Sequence, residues 1–130
     1  MTTKSNVDLS VIIVNYNGIS YLNDCFNSLK ANIVDIEYEI IVIDNDSRDN
    51  SCDYLKEYFP EVNLIESKSN MGFGKANNLG VLNAKGNTIL LLNNDTIIQD
   101  NLIPAYKKLY EKPEHGIVAI NMLNGNRDYI

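Results

Sequence analysis

The sequence predicts one α/β domain built on a mostly parallel sheet with helices on both faces. Three observations predict it. Short aliphatic runs recur along the chain, each is followed by apolar residues at helical spacing, and the connections between them are short. The run Thr88-Ile89-Leu90-Leu91-Leu92 is continuous and apolar, as a strand is when both faces of a parallel sheet are covered.

In chain order the expected strands are residues 9–14, 39–43, 63–65 and 88–92, with 117–120 as a candidate fifth. After the first strand, Tyr21, Leu22, Cys25, Phe26 and Leu29 recur at helical intervals behind Ser20, a good N-cap residue. Tyr54, Leu55, Tyr58 and Phe59 form the second stripe, and Pro60 stops it. Ala76, Leu79 and Leu82 form a narrower third stripe, weakened by Gly80. Leu102, Ile103, Tyr106, Leu109 and Tyr110 form the fourth. Strands alternating with helices imply βαβ units with right-handed crossovers.

The 130 residues leave room for a single domain, 1–130, with a real core. A hydrophobic share of 45% and a charged share of 22% are ordinary for a folded protein. The net charge of −6 argues against a nucleic-acid partner held by phosphate neutralisation. It leaves room for a nucleotide, which one metal ion and a few backbone amides can hold. Cys25 and Cys52 lack metal-type spacing and read as free thiols of a reducing compartment. No stretch approaches the ~18 continuous apolar residues of a membrane span, and the polar start is not a signal peptide. A cytoplasmic domain is expected. His115 reads as a solvated loop residue.

The chemistry gathers where strands end. The four exits are Asn15-Tyr16-Asn17-Gly18, Asp44-Asn45-Asp46-Ser47, the stretch from Asn70 through Gly72-Phe73-Gly74 to Asn78, and Asn93-Asn94-Asp95. In a parallel sheet these exits share the edge at which open α/β folds bind ligands. Asp95 is a hard oxygen suited to Mg²⁺ or Mn²⁺ bridging nucleotide phosphates. Turn and cap chemistry explains any one exit alone; the combination points to a nucleotide-type site. Asn77 stands where a dinucleotide fingerprint needs its third glycine, and Gly74-Lys75-Ala76 lacks the upstream glycine and the hydroxyl of a P-loop. A phospho-accepting receiver domain wants an acid pair after the first strand, and Asn15-Tyr16-Asn17 supplies none.

The four segments, in this order and spacing, resemble the nucleotide-sugar half of a family 2 glycosyltransferase with the GT-A (Rossmann-like) fold, of the rhamnosyltransferase-like branch. The resemblance covers roughly residues 9–125. It implies a UDP- or dTDP-sugar donor, a Mg²⁺ or Mn²⁺ ion, and a saccharide or lipid-linked saccharide acceptor in polysaccharide synthesis. It places the enzyme at the inner face of the membrane, with peripheral membrane association; a homodimer is expected instead from the apolar residues near residue 120. Asp44 matches the acid that contacts the donor base or ribose, and Asn15 and Tyr16 match the exit lying along the nucleotide. Asn70, Gly74 and Asn94 complete the nucleotide-binding set, with the third-exit glycines letting backbone approach the ligand before a helix from Lys75. Asp95 matches the last acid of an Asp-X-Asp metal motif whose first position is Asn93 here.

The resemblance implies no catalytic base among these residues, since the family's base lies well downstream of the metal motif in an acceptor-binding part. The ending 124–130 reads as a turn entering a further segment, so an N-terminal portion lacking that part is expected. The alternative reading is a truncated nucleotide-binding module without transferase activity. Ile117, Val118, Ile120, Met122 and Leu123 are expected to expose apolar surface.

Overall fold

The computed structural model describes residues 6–112, 114 and 116–126. The readings of His115 and of the last four residues lie outside them. The elements run β1 (Leu9–Asn15), α1 (Ile19–Asn32), β2 (Tyr38–Asp44), α2 (Ser51–Tyr58), β3 (Asn63–Glu66), α3 (Phe73–Asn83), β4 (Thr88–Asn93) and α4 (Ile103–Glu111). The four strands form one sheet in the order β3-β2-β1-β4, and each neighbouring pair is parallel. The expected α/β architecture is therefore present.

Alternation along the two central strands divides the core. Val11 and Ile13 of β1 with Ile40 and Val42 of β2 pack against Leu22, Cys25, Phe26 and Leu29 of α1, Leu55 of α2, and Leu102 and Ile103 at the start of α4. The Phe26 and Phe59 rings meet edge to face at 5.0 Å between centroids, a favoured aromatic geometry. On the opposite face Ile12, Ile41 and Ile43 pack against Ala76 of α3, with Leu79 and Ile89 at the border. Among the described residues no helix is long and apolar enough to cross a membrane.

Four local expectations are corrected. Helix α1 begins at Ile19 behind Gly18, so Ser20 lies inside it and caps nothing. The Ile19 N–H instead donates to the Asp49 carboxylate at 3.1 Å, a cap supplied across the fold. Helix α3 begins at Phe73, two residues ahead of Lys75. Leu82 is 83% exposed, so the α3 stripe narrows to Ala76, Gly80 and Leu79. Residues 117–120 form no strand, and only an isolated bridge occurs nearby, at Leu123. A short aliphatic run makes a strand only where a ladder partner meets it. The expected exposure holds at Ile117, Ile120 and Met122, while Val118 and Leu123 are half-buried.

Gly80 reverses its sequence reading. A Cβ built there would lie 2.4 Å from Ile12 Cγ2, so the glycine lets α3 settle onto the centre of the sheet. Gly80→Ala should therefore lower stability, by about 1–3 kcal/mol as overpacking does, despite alanine's better helix propensity. Urea unfolding reads the result; a midpoint at or above the wild-type value refutes the close approach.

Candidate functional site

The strand exits converge as the parallel topology requires. A crevice of about 520 Å³ opens at the carboxyl edge of the sheet, lined by Val14, Tyr16, Asn45, Asn70, Phe73, Asn93, Asn94 and Asp95. Residues at the ends of β1 and β4, just past β2 and at the entry to α3 thus share one space. Tyr16 is 52% and Phe73 60% exposed, so two aromatic rings line the crevice without belonging to the core. Asp95 is also exposed.

Beneath the crevice lies a buried polar network. Both β1 and β2 run one residue past their expected ends, so Asn15 and Asp44 are ladder partners rather than loop residues. Asn15 is fully buried, and Asp44 is 2% exposed. Asn15 Nδ2 donates to Asp44 Oδ1 at 3.0 Å and to Ser47 Oγ at 3.3 Å. Ser47 donates twice to Asp44, from Oγ to Oδ1 at 2.7 Å and from its backbone N–H to Oδ2 at 2.9 Å. On the other side, Asn15 Oδ1 accepts from Asn94 Nδ2 at 2.8 Å. A buried carboxylate is tolerable only with such donors. Asp44 is therefore a structural acid as well as a candidate ligand contact, and it is not separable from folding as its strand-end position suggests.

Asn45 organises the third exit. Its Oδ1 accepts the Met71 N–H at 3.0 Å, and its Nδ2 donates to the Gly72 carbonyl at 3.3 Å. Gly72 has φ of +84°, a backbone state that side chains disfavour. The chain can then turn from the Asn45 clasp directly into α3.

A second knot sits at the start of α1 and α2. Asn17 Oδ1 accepts the backbone N–H groups of Arg48 at 2.7 Å and Asp49 at 3.3 Å. Asp49 accepts from Ile19 at the head of α1 and from the backbone and hydroxyl of Ser51 at the head of α2. Burial alone would raise the Asp49 carboxyl, but the Ser51 hydroxyl and the Ile19 and Ser51 amides outweigh it and hold the pKa below the ordinary 3.8.

Of the sequence-expected residues, Tyr16, Asn70, Asn94 and Asp95 line the crevice, whereas Asn15 and Asp44 support it from below. Gly74 lies in the first turn of α3 and is not a lining residue. Sequence reasoning missed Asn45 and Phe73 as site residues. Their signals were position alone, one residue past Asp44 and between two glycines. Both cysteines are free. Burial foremost pushes the Cys25 thiol up to about 11 and, with the negative charge of Asp44, the Cys52 thiol up to about 12. Both thiols are thus held in the protonated form near neutral pH.

The donor set suits a hard cation only in company. Among the described residues no group of three or more His, Cys, Asp or Glu gathers as a self-sufficient metal site. One exposed carboxylate, Asp95, shares the crevice with its chain neighbours Asn93 and Asn94, whose side chains carry neutral amide oxygens. Mg²⁺-type ions are commonly held by one or two carboxylates plus substrate phosphates, and this set fits that description.

The comparisons with known proteins agree with the geometry. The sequence model described as "Glycosyl transferase family 2" matches residues 10–129. Glycosyltransferase GlyG of Streptococcus pneumoniae is 30% identical over 120 residues, covering 89% of this chain and 39% of GlyG. Poly(ribitol-phosphate) beta-N-acetylglucosaminyltransferase TarS of Staphylococcus aureus is 27% identical over 122 residues, covering 90% of this chain and 21% of TarS. The structure of TarS 1–349 in complex with UDP-GlcNAc superposes with a TM-score of 0.66 at 29% identity, over 85% of this chain and 32% of that one. Mannosyltransferase PcManGT of Pyrobaculum calidifontis, in complex with GDP-Man and Mn²⁺, shares the fold with a TM-score of 0.67 at 19% identity, over 81% of this chain and 32% of that one. This chain thus spans well under half the length of these relatives.

The Asp49 knot carries a test that needs no ligand. A folded pKa below the ordinary value means stability fully present above pH 3.8 and lost as pH falls through the lower folded value. Asp49→Asn should therefore lower stability at neutral pH and flatten its acid dependence. Urea midpoints followed downward through pH 3.8 read the difference. Wild-type and variant curves that run parallel remove Asp49 from this role.

Proposed function

The chain belongs to glycosyl transferase family 2, and from that premise we propose that its crevice holds a nucleoside-diphosphate sugar for transfer to a hydroxyl acceptor. The observation that carries the reading is the meeting, in one crevice at the strand-exit edge, of an exposed carboxylate with two exposed aromatic rings. A nucleotide sugar has matching parts: a flat base that stacks on Tyr16 or Phe73, and a diphosphate that takes a cation shared with Asp95. Phe73 also opens α3, so the unsatisfied N–H groups of that helix end favour an anionic ligand nearby.

Each residue then has a defined task. Asp95 would supply the carboxylate to Mg²⁺ or Mn²⁺, with Asn93 and Asn94 offering neutral oxygens. When bound, such an ion stabilises the negative charge that grows on a departing diphosphate. Asp44 accepts from the Asn15 amide and twice from Ser47, and the small part of it that stays exposed is where a pyrimidine ring N–H would approach. Asn70 and Asn45 border the same space. A uridine donor is supported by the UDP-GlcNAc complex of TarS. The TarS name, with its poly(ribitol-phosphate) acceptor, supports a hydroxyl-rich polymer as acceptor class and a role in polysaccharide synthesis. Transfer is proposed to invert the anomeric centre.

Two measurements test the reading. Mn²⁺ should tighten UDP binding by about tenfold or more, and Asp95→Ala should abolish that gain while leaving metal-free binding in place. Calorimetric titration with and without chelator decides; equal affinity in both removes Asp95 from the cation role. Asp44→Asn should weaken UDP binding by about 1–3 kcal/mol, as loss of a charge-assisted hydrogen bond does, and should also lower the melting temperature because the acid is buried. A variant with a lowered melting temperature and wild-type UDP affinity would show that Asp44 serves the turn alone.

A further inference from the structure

The buried network has a polarity, and the polarity reaches the crevice. An ionised carboxylate only accepts hydrogen bonds. Asp44 Oδ1 therefore obliges the Asn15 amide to present its Nδ2, at 3.0 Å. That leaves Asn15 Oδ1 facing Asn94, which must answer with its own Nδ2, at 2.8 Å. Reversing the Asn15 amide would set its oxygen against the Asp44 carboxylate, so orientation passes along the chain without ambiguity. Asn94 then turns its Nδ2 to Asn15 and donates one of its two N–H groups there, while its Oδ1 takes no hydrogen bond from the described residues. Asn94 lines the crevice and is the neighbour of Asp95.

We infer that Asn15 is a positioning residue: by holding Nδ2 of Asn94 it leaves the Asn94 Oδ1 open as a second hard donor, with Asp95, for the divalent cation. The inference rests on the proposed nucleotide-sugar reading of the crevice. Asn15 itself touches no ligand, because it is fully buried. Gly18 belongs to the same device. A Cβ at this position would lie 2.1 Å from Asn94 Nδ2 and 2.5 Å from Asn15 Oδ1. The φ of Gly18 is −106°, which any residue can adopt, so space for the two amides and not backbone freedom requires glycine here.

Two variants test it in the full chain. Asn15→Ala removes the orienting acceptor. Gly18→Ala removes no polar group and forces Asn94 Nδ2 and Asn15 Oδ1 apart by contact, so it stays informative even where Asn15→Ala fails to fold. Calorimetry with UDP in chelator and UDP in MnCl₂ gives the Mn²⁺ enhancement of affinity. Gly18→Ala is expected to keep the chelator affinity within about threefold and to cut the enhancement by about tenfold. A purely structural defect would lower both together. A folded Gly18→Ala chain with the full enhancement overturns the inference. A second readout needs no nucleotide. Proton exchange at the Asn94 side-chain amide, followed by NMR in the free protein, should be slow in the wild type and fast in both variants. An unprotected Asn94 amide in the wild type overturns the inference whatever UDP does. A wild-type chain with a protected amide and no UDP binding would sink the nucleotide reading, and with it the cation role of Asn94, while keeping the orientation.

Discussion

The register between β1 and β2 is the constraint on which the rest of this structure depends. It sets Asn15 directly opposite Asp44, and from that pairing the strand exits are hung. Asn45 follows Asp44 and donates its backbone N–H to the Asn15 carbonyl at 2.8 Å, then uses its side chain to hold Met71 and Gly72. Asn94 is held by Asn15, and Ser47 by Asp44. Ile40 and Val42 face one half of the core and Ile41 and Ile43 the other, so a slip of one residue would exchange the two sets between unlike packing faces and part Asn15 from Asp44. The register of the two central strands therefore places the polar site.

That coupling explains what could and could not be read from the sequence. Strands and helices were legible because each carries its own periodicity over several residues, as Leu22, Cys25, Phe26 and Leu29 show. Convergence of Tyr16, Asn70, Asn94 and Asp95 was legible because parallel strands share an exit edge. The division of labour was not. Whether Asn15 and Asp44 face a ligand or lie beneath it depends on one further residue of pairing at each strand end, and boundaries carry no periodic signal. Ser20 had the chemistry of a cap, yet Asp49, far along the chain, reached the helix end first. Gly80 looked like a defect because sequence shows a missing side chain but not the Ile12 methyl group that occupies its place. The 117–120 run had strand composition without a partner, and pairing is a property of two segments.

The electrostatics of the rim make a cation more than a chemical convenience. The chain carries a net charge of −6, and the second and fourth exits contribute Asp44, Asp46, Asp49 and Asp95. Arg48, the basic residue of the second exit, is paired with Asp46 at 3.2 Å. A diphosphate approaching this edge meets these acids, offset in part by the dipole of α3 and by the exposed Lys75 in its first turn. On the proposed reading, a divalent ion reverses the local sign where the diphosphate must sit.

The same electrostatics give meaning to Asn93. A carboxylate there would add a second charged ligand and strengthen binding of the bare ion, but it would also repel the diphosphate whenever the ion was absent. An amide keeps a hard oxygen at the position and drops the charge. With Asn94 oriented to offer another neutral oxygen, Asp95 remains the single formal charge at the end of β4. On the proposed reading, such a site would hold a free cation weakly and a cation–diphosphate pair well, because the ligand would supply the anionic oxygens that the protein withholds. Asn93, Asn94 and Asp95 would then offer the ion two neutral oxygens and one charge, with the Asn94 amide held in place by Asn15.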